Sequence, residues 1–385
     1  MMKNSTRGAV DPFIVMDVME AARQAEAAGR HIIHMEVGQP ATPAPLGARN
    51  ALRDSLNATA MGYTVALGLP ELRAKIADLY GEWYDVDLDS KRVIVTSGSS
   101  AGFLLSFTSL FDAGERVGIG APGYPSYRQI LKALDLTAVD IPTSAANKFQ
   151  PHPTDLADLS LNGLLVASPS NPTGTMLSGG ELGALIEATE RSEAAFISDE
   201  IYHGIEYETK AVSALEITNN CYVINSFSKY FSMTGWRVGW MVVPENHIRQ
   251  VERLAQNMFI CAPHASQVVA LAAMECREEL IAYKAVYEKN RRLMIDGLPE
   301  AGFDRIAPPD GAFYIYADIS HLTSDSLSFA REILQEAGVA VTPGLDFDTQ
   351  RGAGSLRFSY AGSSEDIQEG LHRLKQFMQK KGFAA

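Results

Sequence analysis

Between residues 91 and 243, short β-branched runs alternate with longer amphipathic stretches. RVIVT (92–96), RVGIG (116–120), GLLVASP (163–169), AAFIS (194–198), CYVINS (221–226) and VGWMVV (238–243) each read as a strand. In LSGGELGALIEATER, Ser178 and Glu181 stand at capping-box spacing and predict a helix start. The alternation of strands and helices predicts an α/β fold with a mostly parallel sheet covered by helices.

The flanking patterns differ. Leu46 to Tyr84 reads as helix, a turn at GLP, and helix, and long helical patterns run from Asn246 to Leu298. GAFYIYADI, GVAVTP, SLRFSYA and a basic C-terminal helix then predict a smaller α+β domain. An opening helix from Asp17 to Gly29 is expected to pack on that smaller domain, which would then be built from both chain ends. The expected division is an N-terminal segment over 1–46, a large domain over 47–283 and a small C-terminal domain over 284–385. No internal repeat or low-complexity linker interrupts it.

Composition narrows the function classes. A chain of 385 residues exceeds what one core usually serves, and 46% hydrophobic content can bury a substantial interior. The formal net charge of −13 repels phosphate backbones and anionic lipid, so neither nucleic acid nor a membrane surface is an expected partner. Three cysteines without CxxC spacing suggest neither a disulfide framework nor a zinc site. The N-terminus lacks the apolar core of a signal peptide, and no apolar run reaches the length of a bilayer span. A cytoplasmic protein is expected.

In open parallel sheets, ligands bind outside the carboxyl ends of the strands. The residues just beyond the predicted strands are Ser97-Gly98-Ser99-Ser100, Pro122-Gly123-Tyr124, Asn171-Pro172-Thr173-Gly174, Asp199 with Tyr202, and Ser226 to Lys229. An acid, an amide, a lysine, phenols and a small-residue loop would therefore meet at one rim.

SGSSAG follows a strand and opens an apolar helix, the arrangement that cradles a phosphate on helix N–H groups. It is neither a Walker A motif nor a GxGxxG fingerprint, and alone it equally describes a tight turn with a capped helix. Lys229 stands among Phe227, Tyr230, Phe231 and Trp236. Enclosure by those rings would desolvate the amine and lower its pKa, giving the neutral nucleophile of Schiff-base chemistry. A lone lysine is more often a snorkelling surface residue, but Arg237, eight positions later, adds a guanidinium suited to a phosphate dianion. Asp199 ends a buried run, where a carboxylate needs a cationic or proton-donating partner such as a pyridinium N–H. The DEIYH segment lacks the P-loop of a helicase and the further ligands of a metal site.

Taken together, these residues resemble the fold-type I pyridoxal-phosphate enzymes, specifically the class I/II aminotransferase family. VGQP, GYTVALGLPELR, VTSGSSAG, APGYPSY, SPSNPTG, SDEIY, SFSKYFSMTGWRVGW, DGAFY and LRFSYA appear in the family's order along nearly the whole chain. The resemblance implies a seven-stranded-type sheet in the large domain and pyridoxal 5'-phosphate as cofactor. It implies Lys229 as the lysine of the internal aldimine and the proton shuttle, and Asp199 as the acid on the pyridine nitrogen. Asn171 and Tyr202 would bond the ring's phenolic oxygen, and Tyr124 would stack on the ring. Gly98, Ser99, Ser100, Ser226, Ser228 and Arg237 would form the phosphate cup. Tyr63 would reach the phosphate of a neighbouring subunit, which implies a homodimer. Arg357 would grip the substrate α-carboxylate, with Gly38 closing over it; by its own pattern, Arg357 also fits a strand-edge arginine.

The implied reaction moves the amino group of an L-amino acid to a 2-oxo acid in a ping-pong cycle. A carbon–sulfur β-lyase on the same scaffold uses the same lysine, acid and arginine, and the motifs leave both readings open. A cofactor-sensing regulator is a third class, disfavoured by an acidic chain without room for a DNA-binding domain before Asp17. Some aspartate-preferring relatives carry a lysine where this chain has Ser100. Arg7 is then the candidate cation for a distal carboxylate. Leu345 and Asp346 depart from the family pattern beside the substrate, and Phe313 and Tyr314 suggest an apolar wall. The donor is expected to be apolar or aromatic.

Overall fold

The computed structural model describes residues 2–58 and 60–383. An opening helix, α1 (Ile14–Ala27), leads to a short strand, β1 (Ile33–His34), and to helices α2 (Leu46–Ala58) and α3 (Pro70–Tyr84). The central block comprises β2 (Val93–Thr96), α4 (Ser99–Leu110), β3 (Arg116–Ala121), α5 (Pro125–Ala133), β4 (Thr137–Pro142), β5 (Gly163–Ala167), α6 (Gly179–Arg191), β6 (Ala195–Asp199), β7 (Tyr222–Ser226) and β8 (Gly239–Val242). Helices α7 (Ile248–Met258), α8 (His264–Ala273) and α9 (Arg277–Glu300) follow. The chain ends with β9 (Tyr314–Asp318), α10 (Ser326–Glu332), β10 (Val339–Ala340), β11 (Thr342–Pro343), β12 (Ser355–Ser359) and α11 (Ser364–Lys381).

The central strands form a seven-stranded sheet in the order β2-β8-β7-β6-β5-β3-β4. Strand β8 runs antiparallel to β2 and β7, and the other neighbouring pairs are parallel. Successive residues face opposite sides of the sheet. Val93, Val95, Leu164, Val166 and Val223 enter one core cluster, while Ile94, Leu165, Tyr222 and Ile224 enter another. Burial on both faces is why the sequence runs are continuously apolar.

The six predicted strands form within a residue or two of their expected ends. A further strand, β4, has no such run: TAVDIP lies at the sheet edge, half exposed, and so needs little hydrophobic content. Helix α6 starts where expected, with Glu181 N–H donating to Ser178 Oγ at 3.3 Å and Ser178 N–H donating to Glu181 Oε2 at 2.8 Å.

A smaller α+β region contains an antiparallel sheet ordered β11-β12-β9. The opening strand β1 pairs in parallel with β10, Ile33 opposite Val339, so both chain ends contribute. Ala22 of α1 packs with Ile32, Leu334 and Ala340. Helix α1 begins at Ile14, a turn earlier than the Asp17 start expected from the pattern, because its cap comes from a distant residue described below. Among the described residues, no helix is long and apolar enough to cross a membrane.

Candidate active site

The loops after β2, β3, β5, β6 and β7 meet α1 and β12 around a cavity of about 220 Å³. Gly38, Ser99, Ser100, Tyr124, Asn171, Asp199, Tyr202, Ser228, Lys229, Arg237 and Arg357 line it. Gly98 and Ser226 stand immediately behind this lining. Tyr63 does not line it; its side chain is 83% exposed on the surface. Arg7 lies on an exposed turn, Thr6–Gly8, and does not line it either.

At one end, α4 begins directly after the turn that closes β2. Gly98 has φ 78°, and a Cβ there would lie 2.5 Å from Arg237 Nη2. Both the backbone conformation and the close approach exclude a side chain. Arg237 is held by donation from Nη1 to the Thr234 carbonyl at 2.9 Å. Ser226 Oγ donates to Ser228 Oγ at 2.8 Å and accepts the Ser228 N–H at 3.0 Å. Unbonded N–H groups at the start of α4, serine hydroxyls and a guanidinium form a small concave donor set.

Lys229 Nζ donates to the Gly38 carbonyl at 2.6 Å. Its nearest rings are Tyr202 and Phe313, with centroids 5.5 and 5.8 Å away. The neighbours expected to enclose it lie elsewhere: Phe227 and Phe231 meet at a tilted contact of 4.8 Å within the core, Phe227 meets Trp240, and Tyr230 and Trp236 pack at the edge of the same cluster. The turn after β7 carries those phenylalanines into the core and leaves rings from distant segments against the amine. Burial is the main cause that lowers the lysine pKa to about 7, aided by repulsion from Arg357 and Arg237 and opposed by Asp199.

Asp199, 2% exposed, accepts the Ile201 N–H at 3.1 Å through Oδ1. Its Oδ2 accepts a short bond from the Tyr127 hydroxyl. Burial pushes its pKa up to about 6, against the lowering effect of Tyr127, Ile201 and Lys229. The Tyr202 and Tyr314 hydroxyls share a bond of 2.7 Å, and burial raises the pKa of both phenols, keeping them protonated.

Arg357 is 3% exposed on the middle strand of its sheet, flanked by Thr342 and Tyr316, and is therefore not a strand-edge residue. Its Nη1 donates to Asn171 Oδ1 at 2.9 Å, and its Nη2 donates to Thr342 Oγ1 at 3.2 Å and to the Glu36 carbonyl. The guanidinium lies over the Tyr314 ring at 4.4 Å and over the Phe347 ring at 4.7 Å. Its buried Nε has no partner. A Cβ at Gly38 would sit 1.6 Å from Tyr314 Oη, so any side chain there would have to displace the buried Tyr314 ring.

Sequence reasoning missed Tyr127 and the α1 wall of Phe13, Val15 and Met16. Tyr127 stands three positions after Tyr124 at the start of α5, a spacing that puts both on one helix face. That was a usable signal. The α1 wall had none, since nothing near Phe13 announces the cavity.

An open α/β sheet with a half-buried lysine, a buried acid, a buried arginine and a small-residue loop at the ends of its strands has the features of the fold-type I aminotransferases. Residues 30–374 match the family Aminotransferase class I and II, and the chain belongs to that family. It is an enzyme, an aminotransferase whose family depends on pyridoxal phosphate. The chain is 45% identical to "Valine--pyruvate aminotransferase" of Mycobacterium tuberculosis over 97% of both chains. The crystal structure of a putative aminotransferase from Silicibacter pomeroyi superposes with TM-score 0.94 at 69% identity, covering 98% of this chain and all (100%) of that one. An aminotransferase structure from Mycobacterium tuberculosis gives TM-score 0.96 at 44% identity, over 99% and 100% of the two chains.

Proposed function

We propose that this aminotransferase takes the amino group of an L-amino acid with an apolar side chain and passes it to a 2-oxo acid, both substrates using the one cavity in turn. The observation that carries this reading is that Lys229, Asp199 and Arg357 line the same cavity of about 220 Å³. Among the described residues its charged side chains are Asp199, Lys229, Arg237 and Arg357, and none of these is left over for a distal carboxylate once each has its proposed role. The valine–pyruvate relative supports the apolar preference.

The residues present fit pyridoxal 5'-phosphate. Gly98 keeps open a space that a Cβ would fill, beside Arg237, Ser99, Ser100, Ser226 and Ser228, which would hold the phosphate. Asp199 is a buried carboxylate whose hydrogen-bond partners among the described residues, the Tyr127 hydroxyl and the Ile201 N–H, are uncharged, and it would hold a proton on the ring nitrogen. Tyr124 would cover one ring face, and Asn171 and Tyr202 would donate to the ring oxygen. When bound, the cofactor supplies the carbonyl that carries the amino group and a ring that accepts electron density.

Lys229, with its pKa lowered to about 7, is the base that takes the proton from the α-carbon of the amino donor, and in the second half of the cycle it delivers a proton to the α-carbon of the oxo acid. Arg357 binds the α-carboxylate through its guanidinium fork, and the Gly38 backbone closes over that end. The surrounding rings of Tyr202, Phe313 and Tyr314 exclude water from the reacting atoms.

The same proposal includes a homodimer. Arg237 and Ser100 are exposed, while Tyr63, Val65, Met258 and Ile260 present large apolar side chains to solvent. Thr64 Oγ1 accepts from Gln267 Nε2 at 3.1 Å and His264 meets the Gly62 carbonyl at 2.8 Å, which ties the two apolar stretches together. A second copy of this face would bring Tyr63 to the open phosphate end of its neighbour. The free cysteines suit the reducing cytoplasm. A large domain over 47–283, with the two end segments forming the small one, is the division proposed for domain movement.

The test is the absorbance of cofactor-loaded protein as single amino acids, and then a 2-oxo acid, are added. Loss of the starting band with one apolar donor, and its recovery with the oxo acid, is the expected result. A band that never converts while ammonia or a thiol accumulates would overturn the proposal in favour of elimination.

A further inference from the structure

Helix α1 supplies Phe13, Val15 and Met16 to the cavity, yet its first turn has no cap of its own: the Phe13 side chain makes no capping hydrogen bond. The cap comes from across the fold. Asp346, buried in a one-turn helix spanning Gly344–Asp346, accepts the Ile14 N–H through Oδ1 at 2.9 Å and the Val15 N–H through Oδ2 at 3.1 Å. A carboxylate bridging two free N–H groups at a helix start combines hydrogen bonding with the favourable end of the helix dipole. Burial raises its pKa, and the two backbone donors and Arg357 act in the opposite direction.

The neighbouring residue faces the other way. Phe347 lies under the Arg357 guanidinium at 4.7 Å, and its carbonyl accepts the Gly123 N–H at 3.0 Å. Gly123 precedes Tyr124, whose ring meets Phe13 edge-on at 5.9 Å. A closed circuit therefore runs from Asp346 through α1 to Phe13, on to Tyr124 and back to Phe347. Two adjacent residues connect the guanidinium and the apolar wall.

We infer that Asp346 is a positioning residue that sets side-chain selectivity, by holding the first turn of α1 at a fixed distance from Arg357. The inference rests on the reading of Arg357 as the carboxylate anchor. A donor held at that anchor projects its side chain toward Phe13, Val15 and Met16, and the wall contributes to binding only while α1 stays seated. Elsewhere α1 is held mainly through its later turns, where Ala22 packs with Ile32, Leu334 and Ala340.

The experiment compares wild-type, Asp346→Ala and Asp346→Asn proteins in two readouts. In the unliganded proteins, hydrogen exchange at the Ile14 and Val15 amides should quicken on the order of tenfold in the alanine variant, with the asparagine variant intermediate because it keeps one acceptor oxygen. In the loaded enzymes, kcat/KM for branched or large apolar donors should fall on the order of tenfold through KM, while alanine as donor stays within about twofold. An equal loss for every donor would show a merely structural role and overturn the inference, as would unchanged exchange at Ile14 and Val15. A wild-type enzyme that transfers no amino group would instead refute the proposed reaction, and the exchange comparison would still decide the hold of Asp346 on α1.

Discussion

Lys229 donates from Nζ to the carbonyl oxygen of Gly38 at 2.6 Å, across 191 positions of sequence. The amine proposed as catalytic and the segment proposed to close over the substrate carboxylate thus touch directly, and an incoming substrate would share or displace that contact. Lys229→Ala should abolish turnover and leave the fold intact, since Lys229 is a member of none of the hydrophobic core clusters. Circular dichroism, a melting curve and a transaminase assay together check this, and a variant retaining full activity would contradict the assignment.

The amine should also be reactive near neutrality. Its folded pKa is lowered to about 7, so it is protonated below that value and neutral above it. Reaction of the unloaded protein with an amine-directed aldehyde at Lys229, read by mass spectrometry, should rise with pH around a midpoint near 7. A midpoint close to the ordinary lysine value would show that the amine is not desolvated.

Tyr127 bonds the carboxylate of Asp199, and that bond lowers the acid's pKa against the burial that raises it. Tyr127→Phe should therefore push the Asp199 pKa above about 6 and weaken its hold on a ring proton. A rate loss of about tenfold to a hundredfold is expected, from the value of a hydrogen bond to a charged group. Asp199→Ala should lose more. Steady-state rates at pH 6 and pH 8 test both, with Tyr127→Phe falling further behind at the lower pH, where its acid is more fully protonated.

Gly98→Ala places a Cβ 2.5 Å from Arg237 Nη2 on a backbone with φ 78°. The guanidinium must move, and cofactor affinity should weaken on the order of tenfold or more. A fluorescence titration of the unloaded protein with pyridoxal 5'-phosphate measures it. Unchanged affinity would mean that the phosphate binds elsewhere.

Arg357→Lys replaces a planar fork by a point charge and removes the bonds to Asn171 and Thr342. KM for every amino donor should rise, on the order of a hundredfold, with a smaller change in kcat. Equal effects on donors with short and long side chains would distinguish this anchor from the α1 wall.

The sequence by itself determined the elements and the chemistry carried at their ends. The strands of the sheet interior were legible because burial on both faces demands continuous apolar runs, and the start of α6 because its capping box is local. The meeting of Lys229, Asp199, Asn171 and the Gly98 loop at one rim was legible because ligand cavities of such sheets lie outside the carboxyl ends of the strands. Only the tertiary structure decided what lay beyond local reach. Edge strand β4 needs no hydrophobic signature, and the pattern of β8 does not encode its antiparallel direction. The rings around Lys229 proved to be Tyr202 and Phe313, because folding, not sequence adjacency, decides which side chains share a cavity. Asp346 caps α1 across 331 positions, and such contacts exist only once sheet, helix and loop have been assembled around one core.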